Sequence, residues 1–162
     1  MANMKLYMAP GSCTTAIHII LEELEAVFEA HIVNLPAGEH LQPAYVKVNP
    51  KSSIPALVRP DGSVLTEVPA IAYWLGRSQG RGKFWPTTLE AETRALELMT
   101  YVAGTVHGQG FARIFATAGF VRDAVSATQV QQHGREIVDA GFVILDAALD
   151  GRNPGRQGSA AR

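Results

Sequence analysis

A chain of 162 residues with 47% apolar content carries enough hydrophobic side chain for at least one packed core, which excludes a disordered polymer. Its 14 basic residues balance 15 acidic ones and no dense Lys/Arg run occurs, so neither nucleic acid nor an anionic membrane surface is an expected partner. One cysteine cannot close an intramolecular disulfide, and neither a signal-like N-terminus nor a stretch of transmembrane length is present, so the expected location is cytoplasmic.

Residues 5–8 suit a short strand, ended by Pro10-Gly11. From Cys13 onward Ala16, Ile17, Ile20, Leu21 and Leu24 recur at helical spacing and leave Glu22, Glu23 and Glu25 for solvent. Phe28, Ala30 and Ile32 then alternate with Glu29, His31 and Val33, the period of a second strand. A βαβ unit results, with its strands parallel in one sheet. Residues 36–40 read as loop, and 41–48 as a short helix or irregular turn. Two brief apolar runs flank Pro60-Asp61-Gly62, a hairpin signal. Pro69 suits the first turn of a helix whose apolar stripe, Ile71, Ala72, Trp74 and Leu75, gives way to the glycine-rich residues 76–82. The first domain is expected to span residues 1–80 and a linker residues 81–88.

The remainder reads as helix. Thr87 and Glu90 have the spacing of a capping box, and Leu96, Met99 and Val102 continue the pattern. Gly104, Gly108 and Gly110 interrupt it, which predicts a kink or a close helix approach. A second long helix is expected over about residues 123–150 with Val130, Ile137, Gly141, Ile144 and Ala148 on one face. Residues 89–150 thus form a helical hairpin, an incomplete all-α domain. Residues 151–162 hold no large apolar side chain and no acid against three arginines, so a disordered tail is expected there.

The residue type with the most chemistry in it is Cys13, delivered by a strand to the start of a helix. Unpaired amides and the macrodipole at such an end favour a thiolate and lower a cysteine pKa from its free value of about 8.5. A lone cysteine taken by itself reads instead as a small buried hydrophobe. One cysteine and the scattered His18, His31, His40 and His133 do not form a zinc pattern, so no metal is expected. Trp74, Trp85 and Tyr73 are expected to fill core and domain-interface space.

Met4-Lys-Leu-Tyr-Met-Ala-Pro-Gly-Ser-Cys13, then Asn49-Pro50-Lys51, Ile54-Pro55-Ala56-Leu57, and Leu65-Thr66-Glu67 followed by Ala70-Ile71, together resemble the N-terminal domain of bacterial beta-class glutathione transferases over about residues 4–80. Residues 101–107 resemble, with less specificity, the first long helix of that family's second domain. The resemblance implies an α/β thioredoxin-like N-terminal domain and an all-α C-terminal domain in a homodimer. It implies a detoxifying transferase that joins the glutathione thiolate to a hydrophobic electrophile. By this resemblance Pro55 is cis and the backbone of Ile54 pairs with the cysteinyl part of glutathione, while Glu67 and the backbone of Val68 hold its γ-glutamyl end. Cys13 lies beside the glutathione sulfur and can form a mixed disulfide with it, His107 reaches the same site from the helical domain, and Thr14 assists as a local hydroxyl donor.

Three departures qualify the resemblance. Many relatives carry serine at the position of Val68, so a hydroxyl contact is missing and weaker glutathione binding is expected. A lysine common after the second strand is absent from residues 34–40, where His40 is the candidate replacement. Family members are also some forty residues longer; a truncation or an altered reading frame near Asn153 would give this ending. The alternative reading is a non-catalytic module of the same fold, or an inactive remnant that acts through dimerisation.

Overall fold

A computed structural model describes residues 3–80 and 82–150; the tail expected at 151–162 lies outside the described residues. The order is β1 (Met4–Met8), α1 (Thr14–Glu23), β2 (Phe28–Ile32), a 3-10 turn (Glu39–Leu41), α2 (Pro43–Val46), β3 (Ala56–Val58), β4 (Val64–Thr66) and α3 (Val68–Ser78). There follow α4 (Leu89–Tyr101), a π-helical segment (Val102–Phe111), α5 (Ala112–Phe115), a 3-10 turn (Thr117–Gly119) and α6 (Ala124–Asp150). None of these helices is long and apolar enough to cross a membrane. The chain divides into two compact units, Met1–Leu96 and Glu97–Arg162.

In the first unit the strands form one mixed sheet in the order β2-β1-β3-β4. β1 pairs parallel with β2, Leu6 opposite Ala30, and antiparallel with β3, Leu6 opposite Leu57. Side chains alternate across a strand, and β1 exploits both faces. Met4, Leu6 and Met8 are buried with Ile17 and Leu21 of α1, Leu57 of β3, and Ile71 and Leu75 of α3. Full burial of such a side chain stabilises by about 1.5–3 kcal/mol. On the opposite face Tyr7 stacks on His31 at 4.9 Å and meets Tyr45 of α2 edge-on at 5.7 Å. The βαβ unit, hairpin and following helix therefore appear in the expected order, as a thioredoxin-like sheet with a helical region after it. β2 is an edge strand: Phe28 packs against the core, while Ile32 at its other end is 56% exposed.

The hairpin turns where expected, with Gly62 at φ 83° donating to the Arg59 carbonyl at 2.9 Å. That left-handed backbone is one glycine adopts without a Cβ clash. The expected capping box is displaced by one residue. Thr88 caps α4, its hydroxyl accepting from the Ala91 amide at 3.3 Å, so position N3 holds Ala91 and no reciprocal Glu90 bond forms. Glu92 turns instead to the Trp85 indole at 3.1 Å and to Arg77 at 3.0 Å. Trp85 is buried and meets Tyr73 edge-on at 4.9 Å, which ties α3 to the start of α4.

Within the second unit the glycine run makes both a π-helical stretch and a close approach. A Cβ on Gly110 would lie 2.6 Å from Val138 Cγ2, one on Gly134 2.8 Å from the Gly110 carbonyl, and one on Gly141 2.6 Å from Val106 Cγ2. The buried face of α6 consequently runs through Gly134, Val138 and Gly141, and Ile144, assigned to that face by its spacing, is 52% exposed. Gly134→Ala should lower stability by about 1–3 kcal/mol through overpacking against backbone. Gly104→Ala, which meets nothing within 4 Å, should be neutral or stabilising by up to about 1 kcal/mol. Urea unfolding of the two variants checks the pair.

Candidate functional site

The site grows from the turn after β1. Gly11 adopts φ 75°, and the chain then closes on itself: Ser12 donates its hydroxyl to the Ala9 carbonyl at 2.7 Å, and the Thr15 amide donates to the Ser12 carbonyl at 3.1 Å. Thr14, fully buried, accepts from the Ala9 amide at 3.2 Å and donates to the Ala9 carbonyl at 3.0 Å. These bonds place Cys13 at the N-cap of α1, half-exposed. They also assign Thr14 a different task from the one expected of it, because a hydroxyl committed to both backbone groups of Ala9 braces the turn and has no proton left to offer a ligand.

Across from this turn lies the segment before β3. The buried Asn49 donates to the Ser53 carbonyl at 2.6 Å and accepts from the Lys51 amide at 3.1 Å. The Tyr45 hydroxyl donates to the same Ser53 carbonyl at 2.6 Å. Burial raises the Tyr45 pKa above its usual value, which keeps this donor protonated. The Ile54–Pro55 peptide that follows is cis, as the resemblance implied. Cys13 Sγ donates to the Ile54 carbonyl at 3.9 Å, so two of the sequence-derived candidates meet directly.

Glu67 completes the group. Its carbonyl accepts from the Ile71 amide at 3.0 Å, which makes it the N-cap of α3, yet its carboxylate makes no capping bond. Lys51 Nζ instead donates to Glu67 Oε1 at 2.7 Å and to Thr66 Oγ1 at 3.0 Å. Glu67 also holds φ 69°, a left-handed conformation that costs a non-glycine residue about 1–3 kcal/mol. Pro69 has no N–H, so the amides of Val68 and Ala70 are the donors that the first turn of α3 leaves without helical partners.

The electrostatics reverse one expectation. Burial pushes the Cys13 thiol above the usual cysteine value; a backbone hydrogen bond at Cys13 opposes this, and the negative charge of Glu67 adds to it. Desolvation raises the thiol more than its backbone hydrogen bond lowers it, which disfavours the thiolate expected at this helix end. His107 stands in the π-helical segment of the second unit and is exposed. His40 lies in the turn Glu39–Leu41, where its buried Nδ1 makes no hydrogen bond among the described residues. No cluster of three His, Cys, Asp or Glu side chains suited to a metal occurs among the described residues.

Sequence reasoning quoted Asn49-Pro50-Lys51 only as part of the resemblance and gave no role to Lys51, Asn49 or Tyr45. The signal available was weak: an Asn-Pro pair marks a turn, and only the folded chain shows its amide reaching the carbonyl that precedes Ile54.

A cysteine at the β1–α1 turn, facing the carbonyl before a cis proline on a mixed four-stranded sheet, defines a thioredoxin-like thiol site. Residues 11–78 match the model of the glutathione S-transferase N-terminal domain. Glutathione S-transferase D6 of Drosophila melanogaster is 30% identical over 152 residues, 93% of this chain and 67% of that protein. Glutathione S-transferase GstA of Escherichia coli O157:H7 is 36% identical over 115 residues, 69% of this chain and 56% of that protein. A glutathione transferase homologue from Sulfitobacter, solved with bound glutathione, is similar with a TM-score of 0.79 at 26% identity, covering 86% of this chain and 67% of that one. The chain belongs to the glutathione S-transferase family, and it spans little more than half the length of GstA, 56%.

The raised Cys13 pKa has a direct readout. Alkylation of Cys13 by iodoacetamide should be slow at neutral pH, with a midpoint above the ordinary cysteine range. Glu67→Gln should move that midpoint down, because removing a negative charge relieves the thiolate. The pH dependence of labelling, followed by mass spectrometry, measures both.

Proposed function

We propose that the chain is a glutathione transferase of beta-class type, in which glutathione lies along the Cys13 turn, the Ile54–Pro55 peptide and Glu67. The observation that carries this reading is the direct meeting of the Cys13 thiol with the Ile54 carbonyl, 3.9 Å apart, in the electrostatic field of Glu67. Family membership and the glutathione-bound Sulfitobacter homologue support it. The backbone of Ile54 pairs with the cysteinyl part of the tripeptide, and Glu67 with the amides of Val68 and Ala70 receives its γ-glutamyl end, next to a helix N-terminus that favours a carboxylate.

The chemistry follows from the protonation state of Cys13. A neutral thiol is a weak nucleophile and a weak hydrogen-bond donor. Next to the glutathione sulfur it donates its S–H to the developing thiolate and stabilises it. The glutathione proton leaves to solvent, and the thiolate then attacks the electrophile: a carbon–sulfur bond forms as the electrophile's leaving group departs with its bonding pair or, in an addition, as the π pair moves onto the neighbouring atom. Thiol–disulfide exchange is the minor activity. There Cys13, once deprotonated, attacks a glutathione mixed disulfide, bonds to the glutathione sulfur and releases the other thiolate. The protein works as a cytoplasmic homodimer on hydrophobic electrophiles, in detoxification.

The second reading, a non-catalytic module of this fold that acts through dimerisation, has one observation in its favour. Phe142, Val143 and Ile144 of α6 are 54%, 71% and 52% exposed, an apolar run of the kind that marks a partner surface.

Isothermal calorimetry with glutathione, with mass spectrometry of the same sample for an adduct on Cys13, separates the readings. Saturable binding is expected; a folded protein that neither binds nor forms an adduct leaves only the module. Cys13→Ala is expected to abolish exchange while conjugation survives at a rate reduced by about tenfold or less, the effect of losing one weak hydrogen bond. Equal loss of both activities would make Cys13 the nucleophile in each.

A further inference from the structure

The ion pair between Lys51 and Glu67 has no structural purpose that its geometry reveals. Both side chains are more than half exposed, at 55% and 61%, and an exposed pair adds little to stability. Glu67 is nevertheless held at φ 69°, where glycine would be relaxed, and its carboxylate is withheld from capping α3. Lys51 is equally well placed. Its amide is fixed at 3.1 Å by the buried Asn49, whose other end holds Ser53 at 2.6 Å, and its ammonium is steadied by Thr66 Oγ1 at 3.0 Å. A carboxylate on the N-cap of α3 and an ammonium from the loop before β3, 2.7 Å apart and each carried on a constrained backbone, form a preorganised dipole open to solvent.

Resting on the proposed glutathione site, we propose that Lys51 is a specificity-determining residue that binds the α-carboxylate of the γ-glutamyl head. A free α-amino acid head carries an ammonium and a carboxylate on one carbon, the mirror of the Glu67–Lys51 pair. The incoming ammonium pairs with Glu67 and the incoming carboxylate with Lys51, so the single apo contact becomes two crossed contacts with no change in net charge. Two further observations point the same way. Position 68 is valine and presents no hydroxyl to a carboxylate, and Pro69 removes one of the amides that the helix end would otherwise offer. The positive charge that residues 34–40 lack is therefore supplied from the loop before β3. A ligand without the α-carboxylate leaves Lys51 on Glu67 and must compete with it.

The test uses the full chain and two ligands, glutathione and the analogue in which γ-aminobutyryl replaces the γ-glutamyl residue, keeping the ammonium and losing the carboxylate. The unaltered protein should prefer glutathione by about tenfold, the worth of one charge-assisted hydrogen bond in a half-exposed site. Lys51→Met should lose most of that preference, keeping only what the Val68 and Ala70 amides contribute, and Lys51→Arg should restore most of it. A general loss of fold would weaken both ligands alike and leave their ratio unchanged, so the ratio isolates the contact. Lys51→Met that keeps the preference overturns the proposal. Lys51→Met that binds glutathione more tightly overturns it too, since Lys51 would then be only a competitor for Glu67. An unaltered protein that binds neither ligand instead removes the glutathione site on which the proposal rests.

Discussion

The two-sided pairing of β1 is the constraint on which the first unit depends. One five-residue strand bonds to β2 on one edge and to β3 on the other, while Met4, Leu6 and Met8 bury beneath α1 and α3. Because alternate residues point to opposite faces, a slip of one residue would send Lys5 and Tyr7 into that core, so the register is fixed by hydrophobicity alone. The three segments of the candidate site hang from the ends of these paired strands. The Cys13 turn leaves the end of β1, and Ile54–Pro55 leads into β3, its antiparallel neighbour. Glu67 follows β4, which pairs with β3. Three segments distant in sequence thus converge because the sheet order β2-β1-β3-β4 puts their ends side by side.

Loop bracing then converts that convergence into a site of defined shape. Thr14 ties down Ala9, and Asn49 with Tyr45 ties down Ser53, each through buried or half-buried hydrogen bonds that water cannot replace at the same cost. Around these braced turns stand a thiol facing a carbonyl and a carboxylate held off its helix and paired with an ammonium. Opposing effects meet at the Cys13 thiol. A helix end lowers a cysteine pKa, but burial and a nearby carboxylate raise it, and here the second group wins.

Much of this was legible in the sequence, for physical reasons that differ by residue. Period and turn chemistry mark β1, α1, the hairpin at Gly62 and the long α6, since each depends on neighbours within a few positions. The cis state of Pro55 came only from resemblance, because nothing local distinguishes it. The cap at Thr88 in place of Thr87 was not legible, since two adjacent threonines offer the same chemistry and the pairing of Glu92 with Trp85 and Arg77 selects between them. Nor was the buried face of α6, which is set by where Gly110, Gly134 and Gly141 allow close approach and not by the apolar residues alone. Thr14, Asn49 and Lys51 are the instructive cases at the site. Their roles depend on a carbonyl, an amide or a carboxylate that tertiary pairing brings to them.

Backbone amide chemical-shift mapping during titration with glutathione tests the central claim most directly, since it reads every segment at once. The account predicts perturbations concentrated at residues 11–14, 53–55 and 66–70, the three strand-end segments, with β2 and α2 little affected. Perturbations centred on β2 and α2, or none at saturating glutathione in a protein whose spectrum is well dispersed, would contradict it.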